Sequence, residues 1–367
     1  MKQLISSNRF YFVASNILFF ILVSDNYQYS ANNCIRFRTF KPDNDLKMRY
    51  KFLLLLLSLF SCQNEPKNNK AAFSENTKMK IDTSYVWTKL LDSAEWKKNY
   101  NFQMFSARDT LWTFHPDGTW YSMDGKIWTR SILSNAICNL AFLDYVQFKG
   151  SVYGLGYFKG NINQFEFRPE IYKTTDFIHW TTNSKASNLP KRFFYHPFVF
   201  ENKIWIIGGE DKNTKYSDIW NSKDGITWTK QKEDLPFGKR IGSQIVELNK
   251  TLYLLDNDVW SSTDALNWHK LTGEIVKGEQ VFGYAALVFD NKIWLLGCNR
   301  NGQFSSQVLF SSDGKIWQTL TAPWLPRGGI AATVHHNKIY MTGGKYGGTA
   351  KHPDFRYDND VWTLEKM

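Results

Sequence analysis

The chain has 367 residues, of which 17% are aromatic, including 15 Trp, and only 10 are Pro. The first 61 residues hold eight of the 45 basic and three of the 34 acidic side chains, so the net charge of +11 falls to +6 beyond them. A charge this mild lacks the clustered basic stripe of nucleic-acid-binding proteins, so we expect no nucleic-acid partner. The length allows two average domains or one large all-β domain.

An apolar segment near the N-terminus has the form of an export signal. Residues 48–61 contain two basic residues and then the apolar run Phe52–Phe60, which is too short for a bilayer span of about 20 residues. Leu59-Phe60-Ser61-Cys62 resembles the bacterial lipoprotein box, in which cleavage leaves the cysteine to carry the lipid. An ordinary secretory signal is the alternative. Residues 62–81 are polar, as a tether would be. We therefore expect a protein of the cell envelope, on the periplasmic or the surface side, anchored to the membrane through lipid at Cys62.

The upstream segment, residues 1–47, has no clear role in this organisation. It contains a second apolar run, Phe10–Val23, with Arg9 ahead of it. This run could act as a competing signal or as a short anchor. We favour the simpler interpretation, in which translation starts at Met48 and the start of the sequence is mis-assigned.

Residues 82–367 consist of one unit that recurs about every 40 to 53 residues, a period typical of solenoids and propellers. In five copies an aromatic, β-branched run is followed by an Asp and then, four residues later, by a Trp. Asp-Gly fills the turn in three copies and favours a hairpin, because these residues tolerate positive φ. We expect the fourth strand to include the Trp, as in Ile226–Lys230. The hairpins between third and fourth strands are 119–128, 171–180, 219–228, 259–268 and 308–317.

A second strand precedes each hairpin. Six near-continuous apolar runs, each with an aromatic third residue, predict strands that are covered on both faces by neighbouring sheets. Inner-strand candidates lie ahead of them, most clearly at Ile241–Leu248, Phe282–Phe289 and Ile330–His336. Four strands per unit and six units predict an all-β fold, a six-bladed propeller. The second strands are 110–115, 151–156, 203–209, 251–256, 292–298 and 338–344.

The two ends of the repeat region predict how the ring closes. The last unit has a third strand at Asn359–Trp362 but no fourth strand before Met367. Tyr85–Lys89, at the other end, has the pattern of an unaccompanied fourth strand. Pairing these two segments would complete the last blade and remove two open sheet edges, which otherwise invite aggregation.

Three recurring features together resemble kelch repeats: a glycine pair after the second strand, a Trp after the turn, and a Pro and an Arg before the inner strand. Examples are Gly208-Gly209, Pro236–Arg240 and Pro326–Arg327. The resemblance covers residues 83–367 and is closest to the galactose-oxidase-like kelch propellers of secreted bacterial proteins. It is imperfect, since the glycine pair is intact only in the third and sixth units.

The resemblance to kelch enzymes implies two activities, of which one does not fit. The copper site of galactose oxidase needs a cross-linked Cys–Tyr pair, but Cys138 and Cys298 lie three units apart, so we predict no metal and no cofactor. N-acetylneuraminate epimerase, a sialic acid mutarotase, is the closer resemblance. It implies an alternative function as a mutarotase or another acidic-sugar enzyme, with Glu210 and His196 as the candidate acid–base pair. GxSxG, HExxH and P-loop motifs are absent from the sequence.

Long connections between second and third strands occur in four units, and in a propeller they share one face with the connections between blades. Functional residues concentrate on loops that a rigid scaffold positions. We therefore expect this long-loop face to bind a carbohydrate or a protein, and we expect a binding module rather than an enzyme. The long connections are 157–168, 209–217, 298–306 and 344–358.

The candidate ligand-binding residues lie on this predicted face. Arg192, Arg240 and Arg327 share one position before the inner strands, where they either brace neighbouring blades or form a cationic ring that holds a carboxylate or sulfate. Tyr195 and Tyr346 offer surfaces on which sugars stack, as does His196. The long loops add the basic residues Arg168, Arg300, Lys345, His352 and Arg356.

Overall fold

The structure is a computed structural model that describes residues 84–100, 102–131, 144–155, 158–161, 164–167, 170–183, 188–189, 191–211, 213–348 and 353–367. All regular structure in these residues is β, and none of them forms a helix long and apolar enough to cross a membrane. The predicted signal, Cys62 and the tether fall outside this part of the chain, as do Arg168 and His352.

Six four-stranded antiparallel sheets make up most of the described residues, and we number them by the chain order of their first strands. The first strands are Gln103–Ala107, Asp144–Phe148, Phe198–Phe200, Gln244–Leu248, Ala285–Phe289 and Ala331–His335. The second strands are Thr110–His115, Ser151–Leu155, Lys203–Ile207, Thr251–Leu255, Lys292–Leu296 and Lys338–Thr342. The third strands are Gly118–Ser122, Ile171–Thr174, Ile219–Ser222, Val259–Ser262, Gln307–Ser311 and Val361–Lys366. The fourth strands are Thr129–Arg130, Thr181–Asn183, Thr229–Lys232, His269–Thr272, Gln318–Thr321 and Tyr85–Leu91.

The predicted closing strand is confirmed. Tyr85–Leu91 pairs antiparallel with Val361–Lys366, so the sixth sheet takes its fourth strand from the N-terminal side of the repeat region. The same strand also contacts the fifth sheet. The Tyr85 hydroxyl donates a hydrogen bond to Asp290 Oδ2 at 2.5 Å and accepts one from Lys292 Nζ at 2.7 Å. Closure of the sixth sheet thus also ties that sheet to its neighbour.

Hydrophobic side chains pack between consecutive sheets all the way round. Six clusters of buried residues occur in the described part of the chain, and each joins one sheet to the next. The cluster that joins the sixth sheet to the first contains Tyr340 and Val361 on one side and Met104 and Leu111 on the other. The six sheets therefore form a closed ring, and most of the repeated Trp residues lie in its core, as their period predicts.

In the first five sheets the fourth strands begin later than the sequence predicted. In the third sheet the strand starts at Thr229, so that Ile226 and Trp228 belong to the turn. The turn is longer because Asp224 organises it: its carboxylate accepts hydrogen bonds from the backbone N–H groups of Ile226 and Thr227 at 2.8 Å. The Asp of the repeat therefore builds a wide turn rather than a two-residue hairpin.

The same wide turn recurs in the first five sheets with matching hydrogen bonds. A Ser or Thr hydroxyl bonds the Asp carboxylate, which in turn accepts two backbone N–H groups. The residue after the Asp has positive φ, which glycine adopts without strain, although Phe177 and Ala265 also adopt it at 67° and 64°. The Trp that ends each motif packs between sheets, so the repeated sequence serves to build the turn and the core.

The four long connections contain β-structure of their own. Three of them form small ladders, and the connection of the third sheet has isolated bridges at Glu210 instead. All four leave the same end of the ring, where the second strands end and the first strands begin. The additional strands are Phe158–Asn161, Gln164–Phe167, Val281–Phe282, Asn299–Arg300, Gln303–Phe304, Lys345–Tyr346 and Arg356–Tyr357.

Candidate functional site

Arg192 is buried in an ion pair of its own sheet. Its side chain is 4% exposed, and the guanidinium bonds both carboxylate oxygens of Asp218, at 2.5 and 3.1 Å. It also donates to the Gly208 carbonyl at 2.9 Å and lies 3.7 Å from the centre of the Tyr216 aromatic ring. These contacts hold the segment before the first strand of the third sheet against the long connection of that sheet.

The other two matching arginines repeat this arrangement. Arg240 bonds Asp256 at 2.9 Å and Asp258 at 2.8 Å, and Arg327 pairs with Asp360 and is 1% exposed. In all three sheets the aspartate just before the third strand also accepts a hydrogen bond from a Trp indole, at 2.8 to 2.9 Å. The repeated position therefore encodes an Arg–Asp–Trp tie within one sheet, whereas the sequence suggested a brace between neighbouring blades.

The ion pairs change the electrostatics expected of this face. Each guanidinium is matched by at least one carboxylate, and Arg240 and Arg327 are each matched by two. The long-loop residue Arg300 is likewise paired with Glu279, at 2.5 Å. The structure therefore favours a stabilising role of the three arginines within their own sheets over a cationic ring.

Two of the other predicted ligand-binding residues come together on the long connection of the sixth sheet. Tyr346 pairs with Arg356 across a two-residue ladder, and the guanidinium carbon lies 4.7 Å from the centre of the tyrosine ring. Arg356 also bonds the Pro326 carbonyl at 3.0 Å, which fixes its orientation. Nearby, the buried Lys345 ammonium lies 4.6 Å from the Tyr100 ring, and burial lowers the pKa of Lys345 to about 8.

The suggested acid–base pair, Glu210 and His196, is not joined by a hydrogen bond in the described residues. Glu210 forms backbone bridges with Phe193 and Lys215 in the long connection of the third sheet. Burial raises the pKa of its carboxyl. His196 lies two residues before the first strand of the same sheet, is half-buried, and has no hydrogen-bond partner among the described side chains. Burial lowers its pKa to about 4.

The strand register brings one residue of every sheet to the same level around the ring. In all six sheets the last residue of the first strand pairs with the first residue of the second strand. The residue four positions before the end of each first strand is therefore equivalent in every sheet, and it lies towards the end of the ring that carries the long connections. We call these residues the mouth ring: Gln103, Asp144, His196, Gln244, Ala285 and Ala331.

Four consecutive members of the mouth ring are polar and half-buried, and two of them are linked. Gln103 Nε2 lies 3.4 Å from Asp144 Oδ1, and Gln103 Oε1 accepts the backbone N–H of Tyr145 at 2.9 Å. The surrounding protein desolvates the carboxyl and raises the pKa of Asp144 to about 8. At neutral pH the mouth ring therefore presents mainly a protonated carboxyl and a neutral imidazole, from Asp144 and His196.

Two hydroxyl groups beside the mouth ring lack hydrogen-bond partners. Tyr195 is 1% exposed and Ser243 is 8% exposed, and neither hydroxyl is bonded to any described residue. Burial raises the pKa of Tyr195, and the nearby Asp144 carboxyl adds to this effect. Tyr284 has the equivalent place in the fifth sheet, but its hydroxyl donates to the Asp256 carbonyl at 2.7 Å. A buried hydroxyl without a partner costs about 1–3 kcal/mol, so such groups require an explanation.

Sequence reasoning did not identify Gln103, Asp144 or Gln244. The inner strands of the first two units have irregular sequences, and only three inner strands were clear enough to predict. These residues lie a fixed number of positions before the hairpin that joins the first and second strands of each unit, where the second strand begins with a Thr, Ser or Lys. This fixed spacing is the sequence signal that could have identified them. The mouth ring follows from this offset once all six first strands are aligned.

A closed ring of four-stranded antiparallel sheets defines the fold as a β-propeller. The comparisons agree with this class: the family described as DUF6242 beta propeller domain matches residues 175–334. A solved structure titled "Structure of YjhT" aligns with a TM-score of 0.60 and 12% identity, covering 76% of this chain and 100% of that chain. At this identity the likeness concerns the fold alone. No curated protein matches the chain.

We expect Arg192→Met to lower the free energy of unfolding by about 3–5 kcal/mol, because it leaves the buried Asp218 carboxylate without its partner. Arg240→Met should cost less, since its ion pairs are more exposed. Urea unfolding of both variants measures the difference. The double variant Arg192→Met/Asp218→Asn is the control, and it should recover part of the loss. Wild-type stability in Arg192→Met would contradict the bracing role.

The second prediction concerns pH. A raised pKa means that the folded state favours the protonated Asp144, so this group's contribution to stability is complete at low pH and is lost as pH rises towards about 8. Asp144→Asn should therefore be more stable than the wild type at pH 9, and the difference should shrink towards pH 4. Urea unfolding across this range tests it, with the exposed Asp92→Asn as control. An unchanged pH profile would show that Asp144 is not desolvated.

Proposed function

We propose that the chain is a six-bladed, kelch-type β-propeller of the cell envelope that binds a carbohydrate on its long-loop face without catalysis. The observation that carries this proposal is the mouth ring, where polar side chains of four consecutive sheets converge at one end of the scaffold. The amides of Gln103 and Gln244, the Asp144 carboxyl and the His196 imidazole supply both donors and acceptors. Such a set matches the many hydroxyl groups of a sugar.

Aromatic side chains on the long connections add a second kind of support. Tyr346 lies beside Arg356, and its ring centre is 6.2 Å from that of Phe304, in the long connection of the fifth sheet. A tyrosine held in this way offers an apolar face and a polar edge, which suits stacking against a pyranose ring. The proposed ligand would then contact the mouth ring and these connections together.

The proposed location rests on the sequence around Cys62. A basic start, a short apolar run and the lipoprotein-box-like Leu59–Cys62 support export followed by lipid attachment, and residues 62–81 would tether the propeller to the membrane. A single lipid chain gives only marginal membrane binding, so stable anchoring would require more than one chain on this cysteine.

The alternative proposal is a sugar mutarotase, which is supported by the pKa values of two mouth-ring residues. Mutarotation needs a general acid that protonates the ring oxygen and a base that accepts the proton of the anomeric hydroxyl. Asp144 and His196 have pKa values of about 8 and about 4, so at neutral pH one holds a proton and the other can accept one. In this alternative Asp144 replaces Glu210 as the partner of His196 in the acid–base pair that the sequence suggested.

We expect the full-length protein, extracted in detergent, to bind members of an array of immobilised oligosaccharides saturably. Gln244→Ala should weaken this binding by about three- to tenfold, because it removes one neutral hydrogen-bonding amide from the mouth ring. The matched control is Gln231→Ala on an exposed fourth strand, which should leave the binding unchanged. The absence of binding to every oligosaccharide, or capture of a protein ligand instead, would contradict the proposal.

The fourth prediction tests the anchor. Cys62→Ser should abolish lipid attachment, so that the protein no longer fractionates with membranes. Mass spectrometry of the N-terminal peptide and membrane fractionation of the wild type and the variant measure the two effects. Ser61→Ala, which changes the neighbouring residue but keeps the cysteine, is the control and should remain in the membrane fraction. A wild-type peptide without lipid would refute the anchor.

A further inference from the structure

The Arg–Asp–Trp ties limit the kind of ligand that the mouth ring can bind, because they leave the three arginines already paired with aspartates. A carboxylate or sulfate entering this partly desolvated site would need an opposite charge to offset the loss of its hydration. The mouth ring itself contains no Lys or Arg, and Asp144 is its one acidic member. Arg192, Arg240 and Arg327 each lie four residues before a mouth-ring position, and all three are bound to aspartates. Arg356, on the long connection of the sixth sheet, is likewise paired with Asp358.

The hydroxyl of Tyr195 is the sharpest sign of a missing hydrogen-bond partner. It is one residue from the mouth ring, it lies near enough to Asp144 for that carboxyl to perturb it, and no described residue bonds it. Ser243, one residue from Gln244 in the next sheet, has the same unsatisfied state. Two orphan hydroxyls at equivalent positions of adjacent sheets indicate a ligand that brings its own donors and acceptors.

The equivalent tyrosine of the fifth sheet shows that the fold does not require the hydroxyl at this position to lack a hydrogen-bond partner. Tyr284 occupies the same register position as Tyr195, and its hydroxyl donates to the Asp256 carbonyl at 2.7 Å. The neighbouring mouth-ring residue there is Ala285, which offers no polar group. The hydroxyl is thus satisfied internally where the mouth ring is apolar and left unsatisfied where the mouth ring is polar.

From this contrast we propose that the mouth ring selects an uncharged saccharide over a carboxylated one, with the Tyr195 hydroxyl as a direct ligand contact. The proposal rests on the carbohydrate-binding function proposed above and names its ligand class. The Asp144 carboxyl, the His196 imidazole and the two glutamine amides bond hydroxyl groups of the sugar, and Tyr195 bonds a further one. A sugar carboxylate in this place would find no unpaired cation on the mouth ring to offset the loss of its hydration.

Titration calorimetry of the full-length protein in detergent tests the proposal with two sets of probes. The uncharged set is chitotriose, lactose and maltotriose, and the carboxylated set is N-acetylneuraminate, glucuronate and trigalacturonate. We expect binding from the uncharged set only. Tyr195→Phe should then weaken that binding by about tenfold without lowering the melting temperature, because its hydroxyl has no internal partner to lose. Tyr284→Phe is the matched control and should lower the melting temperature while keeping the affinity.

The outcomes separate this proposal from the function on which it rests. Tighter binding of the carboxylated set would overturn the ligand class, although a carbohydrate-binding function would stand. Binding of an uncharged sugar that Tyr195→Phe leaves at wild-type affinity would overturn the role of Tyr195. If neither set binds, both the ligand class and the carbohydrate-binding function fail.

Discussion

Closure of the ring is the constraint on which the rest of the structure depends. Every sheet must bury one face against the sheet before it and the other against the sheet after it, so all six repeats share one register. Tyr85–Leu91 meets this requirement for the sixth sheet, and its Tyr85 hydroxyl reaches across to Asp290 of the fifth. Because the register is shared, equivalent side chains of different sheets converge at one end, and the mouth ring is a consequence of closure.

Arg192, Arg240 and Arg327 stabilise the scaffold, because each is bound to an aspartate of its own sheet. The segment that enters each sheet must stay close to the connection between the second and third strands of that sheet, and the Arg–Asp–Trp ties of the third, fourth and sixth sheets hold it there. A buried ion pair is not stabilising by itself, but losing one partner is costly. Arginine recurs at this position because its planar guanidinium can bond a carboxylate with two parallel hydrogen bonds and a backbone carbonyl at the same time.

The mouth ring, in contrast to these ion pairs, contains groups that reduce stability. Asp144 lies where the surrounding protein opposes its ionisation, and Tyr195 buries a hydroxyl without a partner among the described residues. Both features reduce the stability of the free protein, and neither is needed to close the ring, since Ala285 and Ala331 hold the places equivalent to Asp144, and Ile330 holds the place equivalent to Tyr195. Polar groups that cost stability and lack an internal partner are the ones expected to contact a ligand.

The sequence by itself determined the all-β repeat, the positions of the second strands and the strand that closes the sixth sheet, because these depend on local apolar patterns and turn residues. It placed the start of the fourth strand too early, since the bonds from Asp224 to its backbone neighbours widen the turn. Only the tertiary structure decided the partners of Arg192, Arg240 and Arg327, and only the register of six sheets brought Gln103, Asp144, His196 and Gln244 to one level. Ion pairing and convergence depend on residues far apart in the chain, and no local pattern records which of them meet.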